Sequence, residues 1–217
     1  MILIRLGNQG ACSLLSTGAH GHCAIAVTWK KLKAFLQSIH PINQDILDRY
    51  LSEWTEYQAP KKTIMTAPGE TERYMYFVQE GIQKSYYLNK DKQHVIAFTY
   101  APSFSGVPES FLTQTPSKYF LETITESTFL RISFEKHQQM MHAHREIETL
   151  FRKATELLLI GMVQRHYELM AFDIHQRFTS FAQRSPHLFS LVAHKDLASY
   201  LRIDSTNFSK LYNTIKI

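Results

Sequence analysis

The residues best suited to chemistry lie at the C-terminal end of the chain. His194–Leu201 (HKDLASYL) and Thr206–Ile215 (TNFSKLYNTI) are two short helical patterns on either side of an interruption at Ile203-Asp204. Leu197, Ala198 and Leu201 share one side of the first, and Phe208, Leu211 and Ile215 recur at i, i+3 and i+7 in the second. The small Ala198 lets two helices cross closely, Ile203 fills the gap between them, and Ser205 is placed to cap the second helix. Seating that helix on Phe208 and Leu211 turns Ser205, Thr206, Asn207, Ser209, Lys210, Asn213 and Thr214 outward. Short hydroxyl and amide side chains with one cation suit base edges and phosphates, and Lys195 and Arg202 add charge nearby. Arg202 stands where such turns usually carry glycine, and an ordinary helical hairpin is the plainer alternative. Charge favours the first reading. From Ile174 to Ile217 six basic residues (Arg177, Arg184, Lys195, Arg202, Lys210, Lys216) oppose Asp196 and Asp204, a net +4 out of +5 for the whole chain.

Other chemistries are poorly served. Cys12 and Cys23 cannot build a disulfide framework, a four-cysteine zinc site or an iron–sulfur site. His20-x-His22-Cys23 has metal-like spacing, but no further ligand lies near it in sequence, and no metal or cofactor is expected. A metal-dependent β-roll enzyme needs two or three histidines and a carboxylate on its strands, whereas His94 is the one histidine between Thr63 and Ile132. His137, His142 and His144 sit on or just after a short helix and read as solvent-facing. No Ser-His-Asp order, glycine-rich phosphate loop or paired-carboxylate setting stands out, so an enzyme is not expected. No apolar run approaches the roughly 18 residues that span a bilayer, and a cytoplasmic protein is expected.

The elements that position these residues change period twice. Trp29–Ile39 carries apolar residues at helical spacing, His40-Pro41 stops it, and Asn43 can cap a second helix over Gln44–Tyr57. Short strand-like runs follow at Thr63–Thr66, Tyr74–Gln79, Ile82–Leu88, Val95–Tyr100, Ser110–Leu112, Tyr119–Ile124 and Thr128–Ile132, with a loop over Ala101–Pro108. Seven or eight strands at close spacing indicate a barrel or roll rather than a parallel α/β sheet. Phe134–His142 is a short helix and Arg145–Phe172 a long one, about 42 Å at 1.5 Å per residue. Its heptad spacings place Ile147, Leu150, Phe151, Ala154, Leu157, Leu158, Gly161 and Arg165 on a seam for a second copy of the chain. Residues 1–28 hold half the glycines and both cysteines, and read as an atypical extension or as translated upstream sequence with the true start near Val27. The expected fold is α+β: extension 1–28, β-roll sensor domain 29–143, dimerisation helix 144–173 and helix-turn-helix domain 174–217.

That order of elements resembles the Crp/Fnr superfamily of transcription regulators. The most specific stretches are Phe129–Lys136 (FLRISFEK), at the junction of roll and helix, and Asp196–Leu201 (DLASYL) with Ser209-Lys210. The resemblance implies a cyclic-nucleotide-binding-type β-roll (a double-stranded β-helix), a homodimer, and a Thr206–Ile215 helix in the major groove of double-stranded DNA. RNA polymerase is the further partner it implies. Nucleotide-binding members carry Gly-Glu followed about ten residues later by Arg-Ser or Arg-Thr, the Arg for the cyclic phosphate and the Glu for the ribose hydroxyl. Counting back from Ile132-Ser133-Phe134, those pairs fall on Gly106-Val107 and Ser117-Lys118, so both Glu and Arg are missing. Glu109 and Lys118 are the nearest substitutes, and Lys offers a point charge rather than a fork. Cyclic AMP is therefore not expected as the effector, and the chain reads as an effector-orphan member with an unknown small-molecule ligand. The competing class is a sensory or scaffold module whose terminal helices bind protein.

Overall fold

The computed structural model describes residues 22–215. Helix α1 (His22–Ile39) starts ahead of Trp29 and runs through the lower end of the stretch read as an extension; the rest of that stretch lies outside the described residues. Helix α2 (Gln44–Ser52) is capped by Asn43 Oδ1, which accepts from the Asp45 and Ile46 amides. It ends five residues sooner than its apolar spacing suggests, because Thr55–Ala59 is strand β1, paired antiparallel with Ser127–Ser133 (β8). The intervening strands are β2 (Ile64–Thr66), β3 (Tyr74–Glu80), β4 (Ile82–Asn89), β5 (Lys92–Tyr100), β6 (Ser103–Ser105) and β7 (Phe120–Thr123). They form two four-stranded sheets, ordered β1-β8-β3-β6 and β2-β7-β4-β5. Two expected assignments change. Ser103–Ser105, read as loop, pairs with β3, and Ser110–Leu112, read as strand, lies in helix α3 (Pro108–Thr113), which has Pro at its first turn.

Gly81 makes the turn from β3 to β4 at φ +93°, and a Cβ there would lie 2.2 Å from Ser127 Oγ and 2.6 Å from the Glu126 carbonyl oxygen. No side chain fits at that crossing. On β3, Phe77 faces α1, α2 and the long helix, while Tyr76 and Val78 face the opposite way with Phe129. Polar groups also tie the two sheets together: Gln83 Nε2 donates to Ser127 Oγ, and the Thr99 and Ser105 hydroxyls share a hydrogen bond, while Thr99 Oγ1 donates to Gln83 Oε1 within one sheet.

After α4 (Phe134–Ala143) and α5 (Arg145–Ala171) come α6 (Ile174–Arg184), α7 (Leu188–Leu191), α8 (His194–Leu201) and α9 (Ser205–Thr214). Helix α6 opens on a capping box between Asp173 and Gln176, a signal the sequence reading passed over along with α7. The terminal helices do not form a separate globule. Phe178, Phe181, Leu197, Leu201 and Phe208 share one apolar core with Ile82, Tyr86, Val95 and Phe98 on the outer face of β4 and β5.

His137 corrects an expectation: it is buried, not solvent-facing. Its Nδ1 lies 3.0 Å from the Tyr50 hydroxyl, and its ring meets Phe151 edge-on. Burial holds its imidazole down at about pH 4, against an ordinary value of 6.5. Below 6.5 the unfolded chain takes a proton that the folded chain refuses until about 4, so stability is lost as pH falls through that window. The loss should reach about 3 kcal/mol. Denaturant titrations of the natural chain and His137→Gln between those two pH values should show a flatter pH slope in the variant. Equal slopes would show that the histidine does not titrate this way.

Candidate functional sites

The helix-turn-helix is built as its apolar spacing requires. Arg202, the C-cap of α8, adopts the left-handed conformation (φ +56°) that glycine would take at less cost, and Ile203 is buried in the turn. The cap of α9 is Asp204 rather than Ser205: its carboxylate accepts from the Asn207 amide and side chain. Those bonds draw the Asp204 pKa down. Phe208 is buried, while Lys195, Arg202, Ser205, Thr206, Ser209, Lys210 and Asn213 are exposed. Asn207 is half-buried and occupied by Asp204, so its amide is less available than its place on the helix suggests.

Helix α8 is anchored to the roll by a buried ion pair that the sequence reading missed. Lys84 on β4 is 6% exposed, and its Nζ lies 3.0 Å from Asp196 Oδ2, 3.1 Å from Gln93 Oε1 and 3.8 Å from Glu122 Oε2. Beside it, Ser199 Oγ accepts from the Val95 amide and donates to the Gln93 carbonyl. On the far side of the same interface the Tyr100 and Ser185 hydroxyls are hydrogen-bonded.

Helix α5 divides its surface along its length. Ile147, Leu150, Phe151 and Ala154, half of the expected seam, are buried in their own protomer against α1, α2 and the roll. Leu157 and Leu158 are half-buried, and Gly161 and Arg165 line a cavity of about 190 Å³ beneath the helix-turn-helix. The face open to solvent carries Leu159, Ile160, Met162, Val163, Tyr167 and Met170. A seven-residue spacing marks an apolar stripe but does not tell which surface covers it.

A second cavity, about 390 Å³, opens between the start of α3 and α5. Of the expected pocket residues, Gly106, Val107 and Glu109 line it, together with Ser85, Ile96, Tyr119, Leu158, Met162 and Arg165. Ser117 and Lys118 do not. The Ser117 hydroxyl is buried and donates to the Tyr119 carbonyl, and Lys118 is exposed, 3.8 Å from Glu109. Among the described residues no group of three or more His, Cys, Asp or Glu is placed to hold a metal ion, and no helix is long and apolar enough to cross a membrane.

Residues 57–144 match the cyclic nucleotide-binding domain family. Among solved structures the chain resembles FixK2 from Bradyrhizobium japonicum, with a TM-score of 0.62, 15% identity, and 74% of this chain and 83% of that one covered. It also resembles the c-di-GMP-responsive global regulator CLP of Xanthomonas campestris (TM-score 0.58, 18% identity, 79% and 90% covered). A CooA variant from Carboxydothermus hydrogenoformans follows at a TM-score of 0.57, 18% identity, and 75% and 76% covered. A search of curated proteins found no match. The chain thus shares the fold of these solved structures, a β-roll followed by a long helix and terminal helices. Within that fold, the stretch similar in sequence to the cyclic nucleotide-binding domain family runs from β1 to the end of α4.

Asp196→Ala should destabilise the folded chain by about 3 kcal/mol, since it strands a buried ammonium. Lys84→Met combined with Asp196→Leu should recover most of that loss. Chemical denaturation gives both values, and a loss below about 1 kcal/mol for the single variant would reduce the pair to the strength of a surface contact.

Proposed function

We propose that the protein is a homodimeric, sequence-specific DNA-binding transcription regulator whose roll keeps an effector cavity but not the means to hold a cyclic phosphate. The observation that carries the DNA-binding reading is the exposed face of α9. Buried Phe208 fixes the helix, and Ser205, Thr206, Ser209, Lys210 and Asn213 are left to solvent. These are hydrogen-bonding groups and a cation, of which Ser209 Oγ donates to the Ser205 carbonyl and keeps its lone pairs for an incoming donor. Asp204 and Ile203 hold the helix start rigidly, as a base reader needs. RNA polymerase is the partner such a regulator would act with.

The effector reading follows from the cavity wall. Where a nucleotide-binding roll places Glu, Val107 is buried and apolar, and Ser117 and Lys118 turn away from the cavity. Cyclic AMP and cyclic GMP would lose both their bidentate phosphate partner and their ribose anchor, and neither is the effector. On α5, exposed Ile160, Val163, Tyr167 and Met170 alternate three and four apart, the spacing of a two-helix seam. That outer stripe is where a second copy would pack.

DNA selected from a random library should bind the natural chain with a salt-dependent affinity. Lys210→Ala should weaken binding to every sequence and lower the salt slope by about one, while Asn213→Ala or Ser209→Ala shifts base preference. If no selected sequence is enriched, or if the Lys210 and Asn213 variants bind with unchanged slope and preference, α9 does not read DNA.

Light scattering should give a dimer for the natural chain and a monomer for Ile160→Glu with Val163→Glu, because the charges would be buried at a symmetric seam. A monomeric natural chain, or a variant that still dimerises, would place the interface elsewhere.

A further inference from the structure

Arg165 forms part of the walls of both cavities, the one between α3 and α5 and the one beneath the helix-turn-helix. Its side chain is 11% exposed. On the side of the terminal helices it donates to the Tyr200 carbonyl of α8, and its Cζ lies 4.0 Å from the centre of the Tyr200 ring. The carboxylate nearest to it, Glu168, is 3.7 Å away and already committed: Arg184 takes both its oxygens, at 2.8 and 3.2 Å. Two guanidinium groups therefore share one buried carboxylate, and Arg177 adds a third positive charge in the neighbourhood. Burial first, and then the charges of Arg184 and Arg177, hold the Arg165 pKa below its ordinary value despite Glu168 and Tyr200. A buried cation in this position is stabilised by any anion brought to its open side.

Arg165 is also one of the residues that line the 390 Å³ cavity, whose wall is mostly apolar: Ile96, Val107, Pro108, Leu158, Met162 and Leu169. The polar groups it offers beside Arg165 are Ser85, Tyr119, His166 and Glu109. Glu109 is largely in water and faces Lys118, so it does not set the sign of the charge deep in the cavity. One guanidinium and a few neutral donors suit a monoanion. A phosphate or polyphosphate would need several cations to compensate its lost hydration, and an uncharged apolar molecule would leave Arg165 as it is.

We propose that the cavity takes a small organic carboxylate with a flat or aliphatic apolar body, and that Arg165 is both its anchor and its link to the helix-turn-helix. The carboxylate accepts from the guanidinium on the cavity side and draws it from the Tyr200 carbonyl, while the apolar body replaces water along Val107, Leu158 and Met162. The end of α8 then loses a charge-assisted bond at the residue that leads into the Arg202 turn, next to the proposed reading helix. The ligand class rests on the cavity alone; the consequence for DNA rests also on the DNA-binding reading of α9.

Calorimetry on the full chain with phenylbutyrate and naphthoate, each against its own primary amide, tests the first part. The acids should bind about tenfold or more tighter than the amides, and Arg165→Gln should abolish that preference. Because Arg165→Gln could also loosen the fold, Val107→Glu serves as a second variant. It puts a negative charge in the wall away from the Tyr200 contact and should repel the acids while sparing the amides. Hydrogen exchange tests the second part: a saturating acid should speed exchange in 199–203 and leave the roll strands unchanged. Acids and amides binding alike, no binding by either acid, or an acid preference that survives in Arg165→Gln overturns the proposal. So does unchanged exchange in 199–203 at saturation. Mobility-shift assays on the same preparations keep the two readings apart, since DNA binding with no acid preference sinks this inference alone. Acid preference without DNA binding sinks the other.

Discussion

The ammonium of Lys84 is withdrawn from water on the outer face of a sheet, and that placement is tolerable only while Asp196 of α8 stands 3.0 Å away. A buried cation without its partner costs far more than the pair contributes, so the contact acts as a condition on how the terminal helices sit. Around it the sheet face is apolar: Ile82, Tyr86, Val95 and Phe98 are covered by the same core that holds Phe178 and Phe208. The helix-turn-helix and the roll therefore share one interior. Orientation comes from the polar contacts, since apolar burial is non-directional and would accept several placements. The Ser199 hydroxyl, bonded to both the Val95 amide and the Gln93 carbonyl, sets α8 in register along β5.

Helix α5 serves different neighbours as it advances. Its first half closes the roll with Ile147, Leu150 and Phe151, and its second half meets the terminal helices through Arg165 and Glu168. The outer face of that second half is left apolar and exposed. One rigid rod of about 40 Å thus touches the roll, the cavity, the terminal helices and the proposed seam for a second copy. Charge concentrates where they meet: Glu168 is 5% exposed and accepts from Arg184 with both oxygens, and its pKa is drawn down by that pair against the opposing effect of burial.

The segment after β6 is ordered by its own contacts. Helix α3 is held by local bonds, Ser110 Oγ to the Thr115 carbonyl and Gln114 Nε2 to the Phe111 carbonyl. The Glu72 amide donates to Ser110 from below, and the buried Glu72 carboxylate accepts from Thr66. These contacts order the segment, and Glu109 is the charged residue that α3 contributes to the cavity wall. Arg165, the arginine among the lining residues, comes from α5.

Periodicity alone placed most of this architecture. The strand runs, the long helix and the pattern of Leu197, Ala198, Leu201 and Phe208 are local properties of side-chain spacing, and α8 begins and ends at the residues the spacing marks. Misreadings occurred where local pattern and tertiary pairing compete. Residues 55–57 continue a helical stripe yet pair with β8, and Ser103–Ser105 carry no strand signal yet complete a sheet edge beside β3. The outward residues of α9 were legible because an amphipathic helix exposes one side whatever it packs on, although Asn207 proved occupied by Asp204. Lys84, Arg165 and the inner stripe of α5 were not legible in their roles. A lysine on a strand and an arginine on a helix read as solvated charges, and only residues more than a hundred positions away (Asp196) or on another helix (Tyr200) show otherwise. The sequence by itself determined the elements, their order and the polar face of the last helix, because those depend on neighbours within a few residues. The tertiary structure decided which charges are buried, which stripe of α5 is free and which cation faces the cavity, because burial is set by what packs from elsewhere in the chain.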